Sequence, residues 1–574
     1  EVANIETLVP AAGGERLKGG EAVAILDVNE DGLSDIAIAN GTSFYYVVTT
    51  LSEAEPYDYS VNRFYVEEGA AETYGYNVKA LATHDFNKDG LMDLYLPTPD
   101  SGTPTLKRQI ANRRLWSNPP APDQIRPGTY RPGSMYRTQF SNGDGTFTYN
   151  DIGLNGGGTT RVGLFVDFNL DGWDDAYLSN APYYGAFWGG SSTPNFLIKG
   201  SFQGYSENLI DTMVVNDDSL FFEELCDDAA SYCERHANMD FKGATARDFD
   251  GDGDPDIIAC AYSDIWDGRM FLPIATTFPE SAEWDLDFDG IPEGGYQGAW
   301  ARGILVLENV SKHGAIEFKN ISNDAIENAW GFSDQMHCYV ALPADIDGDA
   351  DFDLLVTGPR DFTAHNSIKY NTDIMRVYRN DSTPGRMKFT NITSEAGVDF
   401  MNNYETMPEP YTGGLVAEDV LAPGVVEGTR DVVAAPRLSA GAALDIDNDG
   451  DIDWVLVDRQ FTSTVSEFEN IKTILMGGSV EPEGELALWV FLNDGTGKFT
   501  YIDPGTHNLV STARDLSYSD FNGDGRLDLV AVNGSGGGQT VEDDNLVYFN
   551  NIENDYGYVR FKVKYGENYF GIGT

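Results

Sequence analysis

The chain has 574 residues and a formal net charge of −55, from 92 acidic against 37 basic residues. A field of that sign repels a nucleic-acid backbone and argues against nucleic-acid partners; it suits multivalent cations, a marine or high-salt setting, or both. Apolar residues make up 41%, with 30 Tyr and 31 Phe, which excludes global disorder and allows a sizeable core.

In chain order, the sequence opens on "EVANIETLVP" without Met, as expected of a mature product. The reading is of a secreted or cell-surface protein, extracellular or periplasmic. No apolar run approaches the roughly 20 residues that cross a bilayer, so no membrane span is expected.

An acidic nonapeptide then recurs seven times. "DVNEDGLSD" at 27–35 offers Asp27, Asn29, Asp31 and Asp35. "DFNKDGLMD" at 85–93 offers Asp85, Asn87, Asp89 and Asp93. "DFNLDGWDD" at 167–175 offers Asp167, Asn169, Asp171 and Asp175, and "DFDGDGDPD" at 248–256 offers Asp248, Asp250, Asp252 and Asp256. "DIDGDADFD" at 345–353 offers Asp345, Asp347, Asp349 and Asp353. "DIDNDGDID" at 445–453 offers Asp445, Asp447, Asp449 and Asp453, and "DFNGDGRLD" at 520–528 offers Asp520, Asn522, Asp524 and Asp528. Position 2 is always Val, Phe or Ile, and position 6 is Gly except for Ala350.

Calcium explains the spacing. The ion takes six to eight hard oxygen ligands at roughly 2.3–2.6 Å. A tight loop aims side chains 1, 3 and 5 at one centre, adds the carbonyl of position 7, and closes the shell with Asp at 9. Gly at 6 permits the turn, and the apolar residue at 2 points the other way, into a core. Mg²⁺ fits less well, since it demands a near-octahedral shell and dehydrates reluctantly. About seven structural Ca²⁺ ions are expected. An eighth stretch, "DLDFDGIPE" at 285–293, offers Asp285, Asp287, Asp289 and Glu293, either as one more calcium site or as a charged loop. A nearly all-protein shell points to a structural role for these ions, because catalysis needs an open coordination position.

Each nonapeptide is flanked by short apolar runs, such as "AVAIL" at 22–26 before and "IAIAN" at 36–40 after the first. Four or five branched and aromatic residues bounded by Gly, Asn and Asp read as strands. Outer hairpins follow in "TQFSNGDGTFTYNDI" at 138–152, "MRVYRND" at 375–381 and "LWVFLNDGTGKFTYI" at 488–502. A unit of four strands cannot bury both faces alone, and radial stacking of seven such units does so. The expected fold is all-β: one seven-bladed β-propeller over residues 1–574 with calcium-binding DxDxDGxxD loops and long inter-strand insertions, the longest at about 262–303. A linear solenoid is the alternative. The strand-like segments at 545–551 and 558–566, with the N-terminal segment, are expected to clasp the ring.

These residues resemble the FG-GAP/VCBS repeat family, of which integrin-α-like, cartilage-acidic-protein-like and propeller-lectin proteins are members. The similarity is closest in "YRNDSTPGRMKFTNITSEAGV" at 378–398 and "FLNDGTGKFT" at 491–500. It implies a calcium-binding propeller, and a role in adhesion, sugar binding or, in a few members, catalysis. The expected function is therefore an extracellular recognition or adhesion module for a glycan or a protein partner. A polysaccharide-degrading lyase or hydrolase on the same scaffold is the alternative, and a structural envelope or matrix component is the third. Enzyme activity is the less favoured reading.

The insertions are where ligand contacts are sought, since binding residues ride on loops above a rigid scaffold. Tyr183 and Trp188, in "NAPYYGAFWGG", and Trp266 and Trp284, in the insertion after residue 261, are candidate stacking platforms; each is otherwise a packing residue of its loop. Arg247, Arg302, Tyr262 and His236 are the constellation a lyase would need. Of four cysteines, Cys226 and Cys233 are close enough to close a small loop, while Cys260 and Cys338 are buried thiols or a bridge. Sequons begin at Asn40, Asn309, Asn320, Asn380, Asn391 and Asn533.

Overall fold

The computed structural model describes residues 2–5, 19–39, 44–52, 58–65, 80–97, 137–150, 159–181, 196–201, 205, 207–208, 240–262, 303–312, 314–326, 338–358, 373–402, 438–458, 488–502, 513–533, 545–552, 561–565 and 568–573. After a short first strand, β1 (Val2–Asn4), the chain builds one antiparallel four-stranded sheet after another. Blade 1 is β2 (Ala22–Leu26), β3 (Asp35–Ala39), β4 (Phe44–Ser52) and β5 (Asp58–Tyr65). Blade 2 is β6 (Ala82–His84), β7 (Asp93–Leu96), β8 (Arg137–Ser141) and β9 (Phe147–Asn150). Blade 3 is β10 (Thr159–Val166), β11 (Asp175–Ala181), β12 (Phe196–Lys199) and β13 (Glu207–Asn208). Blade 4 is β14 (Asp240–Arg247), β15 (Asp256–Tyr262), β16 (Gly303–Asn309) and β17 (Phe318–Asn320).

Blade 5 is β18 (Val340–Ala344), β19 (Asp353–Thr357), β20 (Met375–Asn380) and β21 (Phe389–Asn391). Blade 6 is β22 (Leu438–Leu444), β23 (Asp453–Asp458), β24 (Leu488–Asn493) and β25 (Phe499–Ile502). Blade 7 takes β26 (Asp515–Ser519), β27 (Asp528–Val532) and β28 (Leu546–Tyr548) from the end of the chain and β1 from its beginning. The first strands of the blades touch in cyclic order, β2 against β6 and so on round to β26 against β2. That closure rules out the linear solenoid.

The second strand of each blade reads as an unbroken apolar run because both of its faces are buried between blades. In β3, Ile36 and Ile38 pack toward blade 7 while Ala37 and Ala39 pack toward blade 2. In β23, Trp454 and Leu456 face blade 5 and Val455 and Val457 face blade 7. The core is therefore a ring of apolar clusters, one at each junction between neighbouring blades. Position 2 of the acidic loops points into these clusters as expected, with Val28, Phe168, Phe249, Ile346, Ile446 and Phe521 all buried.

The ends meet at the junction of blades 7 and 1. Strand β1 pairs with β28 as Val2↔Tyr548, Ala3↔Val547 and Asn4↔Leu546. Asp515 on β26 accepts the Val23 N–H of β2 at 3.0 Å, and the buried pair Arg514–Glu21 lies beside it at 3.8 Å. The expected clasp is thus half right. The segment at 545–551 completes blade 7, but β29 (Phe561–Tyr565) pairs only with β30 (Asn568–Gly573) in a separate hairpin. A second junction is held covalently: Cys260 on β15 and Cys338, just before β18, form a disulfide between blades 4 and 5. Cys226 and Cys233 lie outside the described residues.

Candidate metal centre

All seven nonapeptides occupy the same place, the turn between the first and second strands of a blade. Their backbone is set by two left-handed residues rather than one. Position 6 has φ between 73° and 103° in every copy, Ala350 lowest at 73°. Position 4 is left-handed too: Glu30, Lys88, Leu170 and Asn448 lie at 54–59°, and Gly251, Gly348 and Gly523 at 71–78°. The glycines and asparagine at position 4 are the sequence signal for this second twist.

The twist curls the loop round its own carboxylates. In the first copy Asp27 accepts the N–H groups of Asp31 and Gly32 at 3.2 and 2.8 Å, and Asp31 accepts that of Leu33 at 2.8 Å. The same bonds recur in the fourth copy from Asp252 and Gly253 to Asp248. Position 9 works differently. Its Oδ2 accepts the N–H of position 2, and its Oδ1 accepts an N–H at the end of the third strand. For Asp353 these are Ile346 at 3.2 Å and Asn380 at 2.7 Å; for Asp256 they are Phe249 at 3.1 Å and Asn309 at 2.9 Å.

Position 9 is buried in every copy. Burial pushes its carboxyl up, to about 7 in Asp35, Asp93, Asp175, Asp353, Asp453 and Asp528 and to about 8 in Asp256, despite the two backbone hydrogen bonds. Desolvation outweighs those bonds, and the neighbouring loop carboxylates push the same way.

A divalent cation fits this donor set. Oxygens of Asp248, Asp250 and Asp256 lie within 4.8 Å of one another, as do those of Asp345, Asp347 and Asp353 and those of Asp445, Asp447 and Asp453. These are positions 1, 3 and 9 of the copies that carry Asp at position 3; the other four have Asn there, with the same loop hydrogen bonds. Asp250 is 4% exposed, and its Oδ2 is buried with no hydrogen-bond partner, as is Oδ1 of Asp347. A buried, unpartnered carboxylate oxygen is costly unless a cation takes it. All the donors are hard oxygens, so the groups are able to hold a hard metal ion.

The third-strand ends of blades 4 to 7 also tie the preceding blade's loop to their own blade. Asn380 Nδ2 donates to the carbonyl of Phe249, position 2 of the preceding blade's loop, at 2.8 Å, and to that of Phe352 in its own loop at 3.1 Å. Asn309 does the same to Phe168 and Pro255, Asn493 to Ile346 and Ile452, and Asn550 reaches Ile446. In blade 2 a turn replaces the side chain: Gly145 N–H donates to Val28 at 3.1 Å. Blade 3 has Gly200 at this place, where an added Cβ would lie 2.0 Å from the Asp174 carbonyl oxygen.

A family model for the FG-GAP-like repeat matches residues 445–531, the span from the sixth acidic loop into β27. All seven blades carry the same loop in the same turn as the matched span. The match and the seven blades together fit an FG-GAP/VCBS-repeat propeller. No curated protein matches it in sequence. A propeller of this family suggests a recognition or adhesion type of module.

Blade topology divides the propeller into two faces. Connections 1→2 and 3→4 of each blade lie at one face, and connections 2→3 and 4→1 lie at the other. The acidic loops and tight hairpins such as 142–145 and 493–498 share the first face. The strands that bracket 97–137, 181–196, 262–303, 358–373 and 458–488 all break off and resume at the second. Tyr183, Trp188, Trp266 and Trp284 lie in those connections, outside the described residues, as does the eighth acidic stretch with Asp285, Asp287, Asp289 and Glu293.

Two members of the lyase constellation, Arg247 and Tyr262, are held apart. Arg302 and His236 are outside the described residues. Arg247 pairs in register with Asp256 at the loop face, while Tyr262 pairs with Asp240 at the opposite end of the same two strands, about 20 Å away. Arg247 instead lies over the Phe352 ring, 5.7 Å from its centroid. Among the described residues no helix is long and apolar enough to cross a membrane.

Proposed function

We propose that the protein is an extracellular calcium-binding recognition module, with the acidic loops holding Ca²⁺ to lock one face and the opposite face contacting a glycan or a surface protein. The observation that carries this reading is the division of the propeller into a face of uniform short turns and a face to which every long connection attaches. Stability and recognition are then assigned to opposite ends of the same strands, as expected of a scaffold that varies its loops. The aromatic candidates Tyr183, Trp188, Trp266 and Trp284 fall, by sequence, in connections that leave from the strand ends at that second face, and they would stack on sugar rings.

Calcium is favoured over softer or smaller ions by the all-oxygen donor set and the multidentate loop. The Cys260–Cys338 bridge supports an oxidising compartment outside the cytosol. The acidic surface favours neutral glycans, or anionic ones bridged by the cation.

Calcium-loaded protein tested against immobilised neutral and anionic polysaccharides, with retention and polymer length followed together, examines the reading. Retention without shortening supports it. Shortening of any polymer would overturn it in favour of a polysaccharide-degrading enzyme, and retention of none would leave the protein-partner branch, read out by binding to intact cell surfaces.

A further inference from the structure

The seven loops differ in charge in a pattern that follows the ring. Loops four, five and six carry a fifth carboxylate at position 7, from Asp254, Asp351 and Asp451. Elsewhere position 7 is Leu33, Leu91, Trp173 or Arg526, and position 3 is Asn. In the acid-rich three, besides the nearly fully buried Asp250 with its unpartnered Oδ2, the Oδ1 atoms of Asp254, Asp347 and Asp351 are buried with no hydrogen-bond partner.

Two of the remaining loops already hold a side-chain cation on a position-5 carboxylate. Lys199 Nζ lies 3.0 Å from Asp171 in loop three and donates to the Gly314 carbonyl of blade 4 at 2.6 Å. Arg526 pairs with Asp524 in loop seven and is anchored by its Nε to the Asn550 carbonyl at 2.8 Å. A second ammonium approaches loop three: Lys88 donates to the Gly172 carbonyl at 2.6 Å and sits over the Trp173 ring.

An incoming divalent ion must displace such a cation or share its carboxylate with it, and like charges at these separations repel strongly. Affinity for Ca²⁺ also rises with the number of charged ligands. We propose that metal loading of the ring is graded: loops four to six, contiguous in blades 4–6, take Ca²⁺ first, and Lys199 and Arg526 act as built-in counter-ions that make loops three and seven the last to fill. This rests on the reading of the loops as calcium sites. The arc that fills last includes blade 7, where the N-terminal strand closes the ring.

The test is equilibrium dialysis of chelator-stripped full-length protein against Ca²⁺. A tight class of three ions is expected, separated from the weaker ions by at least tenfold in Kd. Lys199→Gln and Arg526→Gln should each tighten one weak ion about tenfold, and Asp347→Asn should remove one ion from the tight class. Lys199 has a partly exposed side chain outside the loop itself, so its variant decides the matter even if Asp347→Asn fails to fold. Tb³⁺ emission sensitised by Trp173, assigned by its loss in Trp173→Phe, should appear late in the titration of the native chain and early in Lys199→Gln. Seven equivalent ions, or weak ions unmoved by Lys199→Gln, would overturn the grading and leave the calcium reading standing. No bound Ca²⁺ at all would overturn both.

Discussion

Asn380 donates both hydrogens of its side-chain amide to buried carbonyls of two blades, Phe249 at 2.8 Å and Phe352 at 3.1 Å, while its Oδ1 accepts the Ser382 N–H at 3.0 Å. Its own N–H completes Asp353. One residue therefore couples two successive acidic loops; Asn309 and Asn493 repeat the arrangement, and Asn550 reaches the preceding loop at Ile446. Neither Asp nor Ala can do this: a carboxylate has no hydrogens to give, and a methyl group leaves every partner unmet.

Asn493→Ala should consequently cost about 2–3 kcal/mol, the usual penalty for leaving buried polar groups unpaired. Asn493→Asp should cost more, because it adds a charge beside Asp453. Urea denaturation in saturating Ca²⁺ measures both. A loss under about 0.5 kcal/mol for the alanine variant would mean that the inter-blade bonds contribute nothing beyond what water supplies.

The same geometry governs the sequons. Asn309 is 2% exposed and Asn380 3%, and both amides are fully engaged with the fold. Their Ser at +2 is explained without a glycan, since Ser311 and Ser382 donate their N–H groups to the Asn oxygens. Protein secreted from a glycosylating host should carry no glycan at either position in its folded fraction, whereas Asn391, which is exposed, is an acceptor open to one. Glycopeptide mapping of monomeric material decides it.

Ala350 is the exception in a position otherwise held by glycine, at φ 73°. A left-handed alanine costs roughly 1–2 kcal/mol, and a glycine there gives back about 0.4–1 kcal/mol in unfolded-chain entropy. Ala350→Gly should therefore stabilise by about 0.5–1 kcal/mol. Gly450→Ala is the mirror experiment: an added Cβ meets nothing within 4 Å, so its loss would report backbone strain alone. Thermal melts of the two variants should move in opposite directions.

Much of this was legible in the sequence for one physical reason. A loop that must present oxygens at fixed spacing leaves a rigid nine-residue signature, and a strand buried on both faces leaves an unbroken apolar run such as "IIACA" before the insertion at 262. The ring closure was legible only in part, because β1 is three residues long and its pairing with β28 is set by a contact between chain ends. The left-handed position 4 escaped because Glu30, Lys88 and Leu170 give no hint of positive φ. The asparagine staples were hidden in plain sight: "YRND" and "FLND" read as hairpin turns, and their amides act across a blade boundary that spacing does not reveal. Arg247 and Tyr262 are near in sequence yet at opposite ends of one strand pair, which is what antiparallel pairing and the extended strand rise dictate and residue lists conceal.

The Cys260–Cys338 bridge should contribute about 2–4 kcal/mol, given the 78-residue separation it spans. Both sulfurs sit in the apolar cluster between blades 4 and 5, so Ala at both positions avoids burying a hydroxyl. The double Cys260→Ala, Cys338→Ala variant should unfold at lower denaturant with intact calcium stoichiometry. Lost calcium binding in a still-folded variant would show instead that the bridge shapes the adjoining loops.

Removal of the cation should invert the protein's response to pH. Buried Asp256 is pushed up to about 8 and the other position-9 carboxyls to about 7, from ordinary values near 3.8. Between those limits the metal-free folded state holds protons that the unfolded state has released. Stability then falls as pH rises, across the window from about 4 to about 8, and is lost progressively as each group is forced to ionise in a buried place. Calcium reverses the sign, since it binds the deprotonated carboxylates and competes with their protons. Melting temperatures in chelator should accordingly decline from pH 5 to pH 8, while those in millimolar Ca²⁺ should rise or stay level over the same range. Parallel curves in the two conditions would show that the position-9 carboxylates do not feel the ion.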